Sequence, residues 1–342
     1  MAQPSRLKLV VRRLKQVIPV LFGVVLVTFL LTRALPGDPA VYFAGPAADA
    51  RSIQEIRVGL GLDRPLHEQF GLYLWQLAHG DLGMSISTGQ PVLAELLRRL
   101  PASLELTLGA LVLSLLVAVP MGVLAATRPG SVVDQLCRVI ATAGVSLPTF
   151  FMGLALIFVF YYLLGWAPSP IGRLGFAHLP PNEVTGFYVI DALLEANVDT
   201  ARAALGQLAL PMITLAMFTL APIARMTRAS MLQTLSSDFI RTARAAGLSR
   251  HTILGRYAFR NAMLPVVTTL GMVFSFTLGA NVLVENVFAW PGIGSFAVEA
   301  LVVSDYAAVQ GFVLSMAVLF VLLNLAIDVA YTLIDPRFNV DA

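Results

Sequence analysis

Six stretches of this chain are too apolar for water to be their natural solvent: residues 17–35, 102–126, 139–164, 205–224, 262–284 and 306–334. Each reaches or approaches the roughly 20 residues that an α-helix needs to satisfy its own backbone across a hydrocarbon core. The expectation is an all-α polytopic membrane protein with six transmembrane helices. Composition agrees, since 57% of the 342 residues are hydrophobic and 13% are charged, where an ordinary soluble domain is about a quarter charged. Pro120, Pro148, Pro211 and Pro222 fall within or near the ends of these runs, where neighbouring helices or local kinks absorb the lost hydrogen bonds.

The first run follows Arg6, Lys8, Arg12, Arg13 and Lys15 and could be the core of a signal peptide. Its length, and a following "RALPGDPA" that offers no small-residue cleavage site, make it an uncleaved first span. "PGDPA" itself has the composition of a turn.

Charge placement orients the spans. With the amino terminus cytoplasmic, most of the 23 basic residues lie inside, from the amino-terminal cluster through Arg128 and Arg138 to the arginines of residues 225–260 and Arg337. The inside segments then hold only Asp134, Asp238, Asp335 and Asp341 as acids. The opposite orientation breaks the positive-inside tendency, so both termini are predicted to be cytoplasmic.

The expected division is residues 1–35 as cytoplasmic terminus and first span, and 36–101 as a small helical extracytoplasmic insertion between spans 1 and 2. Residues 102–334 form the transmembrane core, with a cytoplasmic loop at 225–262, and 335–342 form a cytoplasmic tail. In the insertion, Val92, Leu93, Leu96, Leu97 and Leu100 recur at helical spacing behind Pro91. Residues 165–204 form a second outer excursion carrying Asp191, Glu195 and Asp199.

Bond chemistry finds little support. "HEQFG" at His67 starts like a zinc-protease helix, but Gly71 stands where the second histidine must be. Lys8 and Lys15 are the only lysines, so the chain has no phosphate-cradling loop with its lysine and no ATP site of its own. Cys137 is the single cysteine, read as a small buried hydrophobe. No metal site is expected. The acids in apolar surroundings are single and scattered. Asp328 lies four residues after Asn324 on one helix face, read as a buried polar pair of structural role. Glu105 and Glu285 are placed near the outer ends of their spans, where water relieves the cost of charge. "FAWPGIG" at 288–294 breaks its helix, and Glu285, Trp290, Pro291 and Gly292 are candidates for an outer gate or for an anchor at the lipid–water boundary.

One stretch, "DFIRTARAAGLSRHTILGRYAFRNAMLP" at 238–265, is basic, almost free of acids and helical in pattern. Charge alone supports only topology and contact with anionic membrane lipid. Nucleic acid is a poor fit, because the arginines lack interleaved aromatic platforms. Asp238 is suited to cap a helix starting near Phe239, Gly247 to end it in a left-handed turn, and Ser249 to cap a second helix. The expected product is a rigid knob at the membrane surface between spans four and five.

This stretch resembles the EAA loop of ABC importer permeases, in wording close to the dipeptide and oligopeptide branch. Arg241, Thr242 and Ala243 take the opening positions, followed by Arg244; Gly247 is the glycine and Leu264 with Pro265 the closing pair. The Glu-Ala of the general motif is replaced by Arg241-Thr242, and the spacing from Gly247 to Leu264 is longer; both are features of the peptide-type branch. "LTRALPGDPA", "GLDRPLHEQFGLYLWQLAHGDLGMSISTGQPV", "LPASLELTLGA", "ARMTRASML", "VENVFAWPGIG", "DYAAVQG" and "DPRF", in this order, extend the resemblance over nearly the whole chain.

The resemblance implies the type I ABC importer permease fold and a non-catalytic subunit of the bacterial inner membrane that translocates dipeptides or short oligopeptides. It implies a second homologous permease, two cytoplasmic ATPase subunits that bind ATP and Mg, and an extracytoplasmic solute-binding protein. In that family the loop is a coupling helix seated in a groove of the ATPase. Nickel and glutathione importers share the architecture, and an ATPase-independent transporter remains a competing class.

Overall fold

A computed structural model describes residues 6–34, 38–45, 48–59 and 61–334. All regular elements among them are helical, apart from an isolated antiparallel bridge between Met84 and Pro91. In chain order they are α1 (Arg6–Ala34), α2 (Pro39–Ala44), α3 (Ala50–Gly59), α4 (Leu66–Ala78), α5 (Val92–Thr127), α6 (Val132–Ser146) and α7 (Thr149–Leu156). There follow α8 (Tyr188–Leu194), α9 (Val198–Leu235), α10 (Asp238–Ala245), α11 (Arg250–Thr252), α12 (Arg260–Val287), α13 (Ile293–Val302) and α14 (Tyr306–Ile334). Wider π-helical turns continue α7 over Ile157–Leu163 and join α11 to α12 over Ile253–Phe259.

Four described helices are long and apolar enough to cross a membrane: Val92–Thr127, Val198–Leu235, Arg250–Val287 and Tyr306–Ile327. Six spans were expected; α1, at 29 residues, covers the first apolar run, and one run differs. The run at 139–164 is broken between α6 and α7, where Leu147 is extended at φ −104° and ψ 137°. Pro148 is the cause: its ring clashes with a helical residue before it, so the chain leaves the helix at Leu147 and restarts at Thr149. Pro101 has no such effect, and α5 runs unbroken through the position where an outer helix and a second span were set apart.

The chain divides into two compact units, Met1–Pro101 with Pro291–Leu322, and Ala102–Trp290 with Leu323–Ala342. In the first, Val92, Leu96, Ile293, Phe296, Ala300 and Ala308 form the core, and Phe29 of α1 packs on Phe70 and Tyr73 of α4. Val92 and Leu96 are thus the buried part of the apolar pattern seen in the sequence, whereas Leu93 and Leu97 are exposed.

In the second unit, α5, α9 and α12 share two apolar clusters, one around Leu106, Leu215, Val284 and Trp290 and the other around Ala118, Ile223, Val266 and Cys137. Cys137 is buried, and burial pushes its thiol pKa up, away from a reactive thiolate. Small residues set the helix spacing. A Cβ on Gly122 would lie 2.8 Å from the Ala224 carbonyl oxygen and 2.7 Å from the Thr227 side chain, the close backbone approach that membrane helices use in place of a hydrophobic driving force. Gly122→Val is expected to push α5 off α9 and lower the unfolding temperature in detergent, by the roughly 1–3 kcal/mol typical of overpacking.

Candidate functional site

The basic stretch folds as an elbow. Helix α9 ends at Leu235, and Ser237 takes the N-cap position of α10. Its hydroxyl donates back to the Thr234 carbonyl and caps nothing. Asp238, expected to be the cap, is instead the first helical residue, exposed, with its carboxylate accepting from Arg241 Nη1 at 3.2 Å. The correction is one residue of register, and the acid still lies in the first turn, where it complements the helix dipole.

At the other end Gly247 has φ +76°. The Gly247 N–H donates to the Arg244 carbonyl at 3.0 Å and the Leu248 N–H to that of Ala243 at 3.2 Å. This pair of bonds, six-to-one and five-to-two, is the Schellman ending that a left-handed glycine permits. Ser249 then caps the next helix, its Oγ accepting from the Thr252 N–H at 3.2 Å.

One face of this short helix is anchored. Ile240 and Ala243 are buried in a cluster with Ala126, Met231, Ile253, Ala258 and Ala262. The other face, with Arg241, Thr242 and Arg244, is exposed. Arg244 and Arg250 form no ion pair among the described residues and line, with Leu232, Leu235, Leu248 and Leu254, a cleft of ≈ 670 Å³. Leu264 and Pro265 do not join this group; they lie in the opening turns of α12, and Pro265 is exposed.

A brace behind the elbow was not foreseen. Asp134 of α6, fully buried, accepts from Arg228 Nη2 of α9 at 2.8 Å, from Arg138 Nη2 at 2.7 Å and from the Gly130 N–H at 2.9 Å. The bonds from Arg228, then Arg138, then Gly130 outweigh burial and hold its carboxyl far below the usual carboxylate range. A depressed folded pKa makes this contribution complete above the ordinary carboxylate pKa and lost as pH falls below it. Four residues separate Asp134 from Arg138 on one helix, which was the legible half; Arg228 lies 94 residues away.

The outer candidates are buried, not wet. Glu285 is fully inaccessible, accepting from Ser103 Oγ and from Asn281 Nδ2 at 2.8 Å. Glu105 accepts from Arg173 Nη2 at 2.6 Å and from the Val189 N–H at 3.0 Å. Water was expected to relieve both acids; neighbouring donors do so instead, as burial of charge requires. Trp290 is also buried, its Nε1–H donating to the Ala102 carbonyl at 2.9 Å, so it is not an anchor in the lipid boundary. Helix α12 ends there with Ala289 at φ +49° and the Trp290 N–H on the Glu285 carbonyl at 2.8 Å, a left-handed ending with no glycine to announce it. Pro291 is exposed, and Gly292 precedes α13 as its N-cap. Asn324, expected to be buried, is exposed in the single chain, and the side chain of Asp328 lies outside the described residues, as do residues 36–37 of the "PGDP" turn and the tail at 335–342. In the segment at 165–204, burial of Asp191 is outweighed by bonds from the Thr185 hydroxyl and the N–H groups of Thr185, Gly186 and Val184, which lower its pKa.

The sequence matches two families, described as "Binding-protein-dependent transport system inner membrane component" over residues 118–340 and "Binding-prot-dependent transport system membrane comp, N-term" over residues 6–107. It is 46% identical over 320 residues to the "Probable D,D-dipeptide transport system permease protein DdpB" of Escherichia coli (strain K12), covering 94% of each chain. It is 39% identical over 328 residues to the "Dipeptide transport system permease protein DppB" of Alkalihalophilus pseudofirmus, covering 96% of this chain and 98% of that protein. Against the DppB protein of Escherichia coli (strain K12) the identity is 39% over 341 residues, covering 97% and 99%.

Proposed function

The chain belongs to the family of binding-protein-dependent transport system inner membrane components, and from that premise we propose how it works within its importer. It is an integral membrane protein and the permease subunit of a peptide-class ABC importer. It crosses the bacterial inner membrane six times, with α1 as the first crossing and the α7 helix plus its π-helical turn as a shorter one, and both termini are cytoplasmic. Residues 36–101 form the extracytoplasmic insertion.

A second, homologous permease completes the pathway. Two cytoplasmic ATPases bind ATP and Mg, and an outer solute-binding protein delivers dipeptides or short oligopeptides. The elbow formed by α10, Gly247 and the start of α11 seats in an ATPase. When ATP draws the two ATPases together, the elbow moves with them and the bundle exchanges inward-open for outward-open. This subunit carries force and does no bond chemistry.

The observation that carries the coupling role is the elbow's two-sided construction. Ile240 and Ala243 fix it to the α5–α9–α12 packing, so displacement of the knob is passed to the spans. Its outer face offers Arg244 and Arg250 without internal carboxylates, which suits an acidic groove on a partner. Reversing a two-state bundle takes about 5.5 kcal/mol of differential interaction, within reach of a protein interface of this kind.

Expression of the chain with its companion subunits tests this directly. The expected result is copurification of the ATPases and ATP-dependent dipeptide uptake in proteoliposomes. Uptake by the isolated chain without any ATPase would overturn the reading.

A further inference from the structure

A cavity of ≈ 710 Å³ lies within the first unit, inside the range of about 300–1,000 Å³ over which proteins enclose small ligands. Its walls come from α1, the end of α3 and the loop after it, α4, the loop leading to α5 and the start of α14. Side-chain hydrogen bonds tie several of these together. Arg33 Nε of α1 donates to Gln69 Oε1 of α4 at 3.0 Å. Gln310 Nε2 of α14 donates to Thr32 Oγ1 of α1 at 2.8 Å. Ser85 Oγ of the loop donates to Asp305 Oδ2 at 2.7 Å. These bonds hold the walls of the cavity to one another.

Its lining holds an unanswered charge. Arg33 is partly buried and forms no ion pair among the described residues. The Phe29 ring lies 4.7 Å from the guanidinium carbon and the Tyr306 ring 5.7 Å, so aromatic faces and the Gln69 bond fix the fork while leaving its terminal N–H groups free of a carboxylate. A half-desolvated guanidinium without an anion is costly, and its planar fork matches a carboxylate in two-point contact.

The rest of the lining suits a small polar molecule. Tyr73 stays a neutral phenol, its pKa pushed up to about 12 by burial despite the attraction of Arg33 for a phenolate, and with Gln76 it supplies uncharged polar groups. Asp305 has both oxygens engaged, by Ser85 and by the Ala308 N–H. Asp81 is exposed, with Oδ1 accepting from the Gly83 N–H at 2.8 Å, and its other oxygen is open to an ammonium group. Arg64, exposed, adds a second guanidinium to the lining, so cations and anions balance there, which favours a zwitterion over a multiply charged phosphate that Asp81 would repel.

We infer that this cavity is a binding site for a small zwitterion of amino-acid or short-peptide size, with Arg33 receiving its carboxylate. A lipid phosphodiester presents a similar oxyanion pair to a guanidinium, and the test separates the two sources. Because the cavity and the elbow share no residue, failure here leaves the coupling reading standing.

The test is titration of the full chain, held in phosphatidylcholine nanodiscs, with alanyl-alanine and with its carboxyl-terminal amide. The free acid is expected to bind and the amide to bind at least about tenfold more weakly, the worth of a charge-assisted contact. Arg33→Gln is expected to lose the same factor and Arg33→Lys to retain part of it. Should Arg33→Gln fail to fold, Gln76→Leu, on a wall position that makes no side-chain hydrogen bond among the described residues, is expected to weaken the free acid by about threefold or more. Equal affinity for acid and amide, no binding of either by the wild-type chain, or unchanged binding in folded Arg33→Gln would overturn the assignment. So would phosphatidylglycerol saturating the Arg33 site in place of the dipeptide, which would make the cavity a headgroup site.

Discussion

Gly247→Val is expected to cut ATP-driven uptake by the assembled importer at least about tenfold, while leaving the subunit in the membrane and the ATPases hydrolysing ATP. Nothing lies within 4 Å of a Cβ placed on Gly247, so the substitution removes no packing. Its effect is confined to the backbone, where φ is +76°. A side chain in that region costs about 1–2 kcal/mol, and more for a β-branched one. The turn is held by two hydrogen bonds, Gly247 to Arg244 and Leu248 to Ala243, each worth roughly 1 kcal/mol. Strain of that size is enough to unwind the corner and to misdirect the exposed face of α10. Gly247→Asn is the control, since asparagine tolerates the left-handed region, and it is expected to transport close to normally. The measurement is substrate uptake against phosphate release in proteoliposomes. Normal uptake by the valine variant, with the protein present at ordinary amounts, would remove the elbow from the coupling path.

The elbow was readable in the sequence because every device in it is local. A glycine just past the end of a short amphipathic helix, and a serine two residues later, specify their own geometry whatever surrounds them. The one slip, Asp238 in place of Ser237 as the cap residue, lies within the uncertainty of helix ends. What escaped was non-local. Asp134 finds Arg228 and Glu105 finds Arg173 only after long stretches of chain have packed, and neither pairing leaves a mark in hydrophobic periodicity. The break at Leu147 was partly legible, since Pro148 was visible, but prolines inside membrane helices are often absorbed. Pro211, Pro222 and Pro265 do lie inside helices. Which proline ends a helix is decided by the neighbours able to satisfy the freed carbonyls. The same logic explains Trp290. As sequence it suits a boundary anchor, yet the left-handed Ala289 swings the ring inward to the Ala102 carbonyl.

Arg173→Met is expected to destabilise the second unit by about 3–5 kcal/mol, the usual cost of leaving a buried partner charge uncompensated. Arg173 is 8% exposed and joins the 165–204 segment to α5 through Glu105, while a second bond at 2.6 Å reaches the Gly186 carbonyl. Its guanidinium also stacks 3.5 Å from the Tyr188 ring. Removing it strands the Glu105 carboxylate with the Val189 N–H as its remaining donor among these contacts. The loss would be read as a lower unfolding temperature in detergent and faster proteolysis across residues 175–187. Pairing the change with Glu105→Gln is expected to recover much of the stability, because a buried neutral pair avoids the desolvation that made the single variant costly. The double variant then separates fold from transport. Arg173 also lies 6.0 Å from the Trp290 ring, next to the buried Glu285 bonds. Transport that recovers along with stability makes the ion pair a strut for the 165–204 segment. Transport that stays low in a stable double variant gives the Arg173 guanidinium a part in transport beyond that of a strut.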